Sequence, residues 1–310
     1  MKRQPVIPIL AGLLLLGSCE HKELCYDHPH TASLEVLFDW SKAPDASPAS
    51  MTLYLLAESG DPTLRYDFTG CAGGTARVKP GGYMAVALNG DTEVIECRNT
   101  DQRESFEITT PTAELLPGLS SMGVRSEGAP QAPDAADERM AAAPDALWSA
   151  RSTRFTVEDV DTLRMYPEFS VSRCTVEILG AENLEHVTGL SASLSGLSGG
   201  LHAATGTLSE ERVTVPFALQ ATGETTLEGS LYLFGHCPGT AGSHTLIVYA
   251  VLTDGSKWFY SYDVTAQMHE AADPLNIHIR LEGLPLPEPD AGGFDPVVDD
   301  WQQVEVDIEM

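Results

Sequence analysis

Gly196-Leu197-Ser198-Gly199-Gly200 spells G-x-S-x-G, the string that in a nucleophile elbow lifts a serine hydroxyl onto a tight turn between a strand and a helix. Such an elbow also needs Asp and His placed later in the chain. Here the string sits within 191–206, a stretch rich in Ser and Gly, so it reads as a loop. Asp27 and His28-Pro29-His30 offer carboxylate and imidazole ligands. A proline between the two histidines leaves their directions unset, and no H-E-x-x-H or C-x-x-C partner follows, so the segment reads as a polar lead-in to a strand near Ser33. His236-Cys237 pairs a base with a nucleophile but runs straight into Pro238-Gly239, a turn signal. With 45 Asp and Glu, some pair always lies at glycosidase spacing, and the coincidence carries no information. Phosphate loops and dinucleotide fingerprints are absent from the sequence. The expectation is a non-enzymatic protein with no catalytic residue, no metal ligand and no cofactor.

The elements that surround these residues are short and alternating. Leu34, Val36, Phe38 and Trp40 recur with period two, as do Trp258, Tyr260, Tyr262 and Val264, and Leu275, Ile277, Ile279 and Leu281. That is the pattern of strands with one buried and one wet face. The chain ends in the same way with Val304, Val306, Ile308 and Met310. The runs 51–56 and 246–252 are apolar almost throughout, which predicts strands covered on both faces. Asn89-Gly90-Asp91, Pro80-Gly81-Gly82 and Asp254-Gly255 mark turns, the last predicting a hairpin of 246–253 with 257–264. Short strands with regular turns predict an all-β antiparallel sandwich fold.

At 310 residues the chain is long enough for two domains. Residues 111–146 turn to Ala, Pro, Ser, Gly and Asp and read as a linker or as a long excursion from the first sandwich, the latter favoured because Trp148 and Phe155 can rejoin a core. The predicted division is therefore 31–155 and 156–310, with 284–300 an extended crossing to the final strand.

Lys2 and Arg3 followed by an apolar run over 6–16 predict an export signal over 1–18; eleven residues are too few to span a hydrocarbon core, which takes about 20. The run ends in Leu16-Gly17-Ser18-Cys19, which resembles the lipobox of bacterial lipoproteins, with Cys19 as the acylated first residue and 19–30 as tether. Glu20, Lys22 and Glu23 resemble surface-export tags of Bacteroidetes lipoproteins, or are simply a solvated tether. A net charge of −27 argues against nucleic acid and leaves the lipid as the membrane attachment. Of the remaining cysteines, Cys71 with Cys97 and Cys174 with Cys237 could each pair within one domain; equally, Cys174 alternates with Val176 and Ile178 as a buried thiol does, and Cys25 leaves the count odd.

The segment from Cys19 through His30, the turn Asn89-Gly90-Asp91-Thr92-Glu93, residues 190–202 and the closing 292–310 together resemble the FimB/Mfa-like fimbrial anchor proteins of Bacteroidetes. The resemblance implies two tandem transthyretin-like, Greek-key β-sandwich domains on a lipoprotein, an outer-membrane, surface-exposed location at a fimbrium base, and a pilin as partner, docked by strand complementation. It also implies that stalk subunits are cut after an arginine; the first arginine after Cys19 is Arg65, beyond two predicted strands, which suits a subunit that stays tethered. Val304, Val306, Ile308 and Met310 are the candidate exchange segment, or else the last strand of their own domain. The alternative function is capture of glycans or host proteins at the surface. Trp40 and Trp258 read as core for that purpose, whereas Trp148 and Trp301 remain available to stack on a sugar.

Overall fold

The structure is a computed structural model that describes residues 31–119, 123–124, 128–158, 161–237, 242–289 and 300–304. The predicted signal segment, Cys19, the tether with His28 and His30, Cys25, Val306, Ile308 and Met310 lie outside the described residues.

The first half carries β1 (Ala32–Phe38), β2 (Ser50–Ala57), β3 (Leu64–Thr69), β4 (Gly73–Val78), β5 (Gly81–Asn89), β6 (Glu96–Arg98), β7 (Glu107–Thr109), β8 (Arg139–Met140), β9 (Trp148–Arg151), β10 (Phe155–Val157), β11 (Thr162–Met165) and β12 (Glu168–Phe169). The second half carries β13 (Ser172–Ala181), β14 (Val187–Ser198), β15 (Gly200–His202), β16 (Arg212–Phe217), β17 (Gln220–Ala221), β18 (Thr226–Leu233), β19 (Thr245–Leu252), β20 (Lys257–Asp263), helix α1 (Thr265–His269), β21 (Asn276–Leu284) and β22 (Trp301–Val304).

The fold is all-β and built from packed sheets, as the alternation requires. In β1, Leu34, Val36 and Phe38 are buried while Glu35 faces water; in β21, Ile277, Ile279 and Leu281 are buried between exposed polar neighbours. The sheet β11-β1-β4 closes over β12-β9-β5-β2-β3, with β10 alongside β5, to form the first sandwich. The sheet β17-β18-β13-β21 closes over β22-β20-β19-β14-β16-β8 to form the second. The hairpin of β19 with β20 forms with Val248 opposite Tyr260, as the Asp254-Gly255 turn predicts.

The two continuously apolar runs are covered on both faces, each by a different device. Tyr54 and Leu56 of β2, with Met84 and Val86 of β5, turn away from the first sandwich into a core shared with Phe106, Ile108, Leu201 and Phe234. The sheet β15-β7-β6 roofs this core, and β15 belongs to the second half of the chain. On β19, Ile247, Tyr249 and Val251 point outward and are covered by Leu115, Leu116, Leu119 and Ala135 of the excursion.

The excursion therefore leaves the first sandwich, covers the second and returns at β9, with β8 running parallel to β16. Its apolar residues are too widely spaced to show a period, yet they find a preformed apolar strand face. Past residue 156 the chain continues to pair with strands of the first sandwich. β11 runs parallel to β1, with Val36 opposite Leu163, and β12 pairs with β9, so the first sandwich holds the chain through Phe169 and the second begins at Ser172. Four-residue strands carry too little alternation to announce which half they join.

Residues 191–202 are not a loop, and only 203–206 form a turn. Ser191 through Ser198 are all buried in β14, hydrogen-bonded between β19 and β16. Ala192, Leu194 and Leu197 enter the sandwich core. Ser191, Ser193 and Ser195 fill the opposite, tightly covered face, where the Ser193 hydroxyl meets Tyr249 Oη at 3.2 Å. Small residues here mark close packing rather than a flexible segment.

Candidate functional site

The last described strand forms one rim of a six-stranded sheet. β22 pairs in parallel with β20 alone, Lys257 opposite Trp301 and Tyr260 opposite Val304. A parallel partner requires a crossover, and the chain begins it with Asn183 Nδ2 donating to the Leu286 carbonyl at 2.6 Å and Tyr260 Oη donating to that of Pro285 at 2.9 Å. Side chains on both faces seat the strand. Trp301 packs edge-on against Tyr249 with ring centroids 5.4 Å apart, beside the excursion's leucines, and Val304 reaches the sandwich core from the other face. Tyr249 is itself tied to the excursion, its hydroxyl donating to the Pro130 carbonyl at 2.6 Å. Among the described residues no strand pairs with the outer edge of β22.

Of the named exchange residues, Val304 is thus a seated strand residue of its own domain, while Val306, Ile308 and Met310 lie outside the described residues. Arg65, the first arginine after Cys19, stands within β3, its Nη2 3.1 Å from the Asp67 carboxylate. The tryptophans are engaged: Trp148 packs against Phe169 at 5.6 Å, Trp40 Nε1 donates to the Cys71 carbonyl at 2.7 Å, and Trp258 Nε1 donates to Ser256 Oγ at 3.0 Å.

The elbow fails on different grounds from those expected. A strand does precede Ser198, but another strand follows it, and the buried hydroxyl lies against the carbonyls of Ser209 at 2.8 Å and Gly200 at 3.0 Å. The Cys237 thiol donates to the Glu210 carbonyl at 3.3 Å. Neither Cys71–Cys97 nor Cys174–Cys237 forms as a disulfide among the described residues, and burial pushes the Cys174 thiol up to about 12.

One cluster escapes sequence reading. His236, His244 and His269 bring their ring nitrogens within 4.8 Å of one another. They come from three separate connections, with spacings of no helix or strand period, and no local signal marks them.

Residues 18–218 match a family described as "Domain of unknown function (DUF5119)". The chain belongs to the DUF5119 family. The match spans the whole first sandwich and runs into the second as far as the end of β16. A curated relative, the "Putative fimbrium anchoring subunit Fim4B" of Bacteroides ovatus, is 25% identical over 198 residues, covering 63% of this chain and 54% of that protein. The DUF5119 chain thus spans about half the length of that relative, and the resemblance to fimbrial anchors read from its sequence is borne out. Among solved structures, a "putative adhesin" from Bacteroides ovatus superposes with a TM-score of 0.63 at 21% identity, covering 89% of this chain and all of the other, and has the same fold. The fimbrial anchor protein Mfa2 of Porphyromonas gingivalis gives 0.49 at 14% identity, covering 82% and 91%.

Proposed function

We propose that this chain is a non-enzymatic surface lipoprotein that anchors a fimbria. It is held in the outer membrane through acylated Cys19 and receives a pilin at the β20/β22 edge by strand complementation. The observation that carries the reading is the rim itself: four residues in parallel register, Trp301–Val304, end a six-stranded sheet and, among the described residues, have no strand on their outer side. A partner's extended segment can add outside β22. Main-chain hydrogen bonds then supply affinity, and alternate side chains of the added strand supply specificity. The Fim4B relative, named for fimbrium anchoring, supports the same role. So does the place of Arg65 inside β3, since cleavage there would remove β1 and β2 from the first core.

Cross-linking on intact cells, followed by purification from membranes, tests the proposal. Recovery of a pilin with the full chain, and its loss when 301–310 are deleted from a chain that still melts cooperatively, is the expected outcome. Undiminished pilin capture by the truncated chain would remove the edge from the mechanism. Glycan binding without pilin would favour surface capture instead; against that reading, Trp148 and Trp301 are both packed on neighbouring rings.

A further inference from the structure

We propose that His236, His244 and His269 form a binding site for a divalent transition-metal ion, zinc being the best match. Three elements converge on it. His236 follows β18 and is held by a bridge to Leu197. His244 leads into β19, its backbone N–H donating to Thr265 Oγ1 at 2.8 Å and its carbonyl accepting from Val264 N at 2.9 Å. His269 is the last residue of α1.

The central ring is prepared as a ligand. His244 is buried, and its Nδ1 lies 3.0 Å from the Ser195 carbonyl. A carbonyl can only accept, so Nδ1 carries the proton and Nε2 presents a bare lone pair to the cluster. This is the arrangement by which an outer hydrogen bond fixes the tautomer and direction of a metal-bound imidazole. The bulge in β14 makes room for it: Gly196 has φ +79°, and a Cβ there would come within 2.8 Å of His244 Nδ1.

His244 Nε2 and His269 Nε2 stand 3.0 Å apart, and the third ring nitrogen completes the triangle within 4.8 Å. Tetrahedral zinc with bonds of about 2.0 Å holds its nitrogen ligands roughly 3.3 Å apart, so modest ring rotations would seat the ion. Without it, the Nε2 pair can share one proton; on binding, exposed His269 passes that proton to Nδ1 or to solvent. His244 is buried and His236 half-buried, which disfavours a charge on either ring. The nearby cation Arg212 is offset by Glu138 at 2.8 Å, and Asp263 adds a negative charge close to His244. Three imidazoles with no thiolate favour zinc, copper(II) or nickel(II) over calcium or magnesium. The ion would clamp three connections at one end of the second sandwich and leave a coordination position toward the exposed His269 side.

The test titrates the purified full chain with Co(II), read by the visible ligand-field bands of tetrahedral cobalt, and then displaces the cobalt with Zn(II). One equivalent should bind. His269→Gln, an exposed substitution, should weaken binding at least about tenfold, in line with the loss of a metal-site group. His28→Gln/His30→Gln should leave the titration unchanged. If H269Q and H236Q each titrate like the unaltered chain, or if the cobalt spectrum stays octahedral, the cation sits on surface carboxylates and the proposal is wrong.

Discussion

Glu138, carried by the excursion, accepts a hydrogen bond from Arg212 Nε on β16 at 2.8 Å, with its side chain only 5% exposed. Its other oxygen accepts from the Gly196 backbone N–H at 3.0 Å and from the Thr214 hydroxyl at 2.8 Å. One carboxylate thus pins a segment without periodic pattern to two strands of the second sandwich. Glu138→Ala leaves the guanidinium and a buried backbone donor without that partner, and should cost about 3–5 kcal/mol in urea unfolding. A loss under 1 kcal/mol would mean that the excursion is held by its leucines alone.

Trp301 fills a site on Tyr249 at the rim. Trp301→Ala should lower stability by about 1–2 kcal/mol, through lost ring contact and burial, and should make the C-terminal residues more susceptible to limited proteolysis. An unchanged midpoint and cleavage pattern would show that the strand is not seated in solution.

The core containing Tyr54, Met84, Phe106, Leu201 and Phe234 draws on both halves of the chain. Phe169 also packs edge-on against Tyr232 across them at 5.8 Å. Calorimetry should therefore give one cooperative transition, with van't Hoff and calorimetric enthalpies in agreement. Residues 172–310 expressed alone should not fold, having lost both this core and the excursion's cover on β19. Two resolved transitions would refute the coupling.

Cys174 is fully buried in β13, and its thiol, raised to about 12 by burial, is almost wholly protonated at pH 8. Mass spectrometry after iodoacetamide treatment of the native chain should find Cys71, half-buried between β3 and β4, modified well before Cys174. Denaturant should equalise the two.

Arg139 grips Glu211 through two hydrogen bonds, Nε to Oε1 at 2.8 Å and Nη2 to Oε2 at 3.1 Å, and holds that carboxyl below its ordinary range. A folded pKa below the unfolded one means that the stabilisation is complete above the unfolded value. It then fades as pH falls through that value toward the folded one. Glu211→Gln should flatten the stability profile between about pH 5 and 3, relative to the unaltered chain. An identical acid limb would show that the pair contributes nothing in solution.

Much of the architecture is written in local pattern. Period-two runs such as Leu34, Val36 and Phe38 can bury one face only as strands, and Asp254-Gly255 fixes a two-strand return. The apolar runs around Leu53 and Val248 announce that both of their faces would be covered, although not by what. The seryl-glycyl run around Ser193 misleads, because a small residue in a tightly covered strand and one in an exposed loop look alike in sequence. Phe155, Leu163 and Phe169 sit in strands of two to four residues, too short to carry a register of their own.

Strand periodicity and turn chemistry, being set by neighbours in the chain, already determine an all-β protein and its main hairpin. The covering of Tyr249 by Leu116, the sharing of Phe106 with Leu201 and the meeting of His236, His244 and His269 were decided only by tertiary packing. These contacts join segments tens of residues apart, where what selects the partner is the shape and polarity of a surface that does not exist until the sheets have formed.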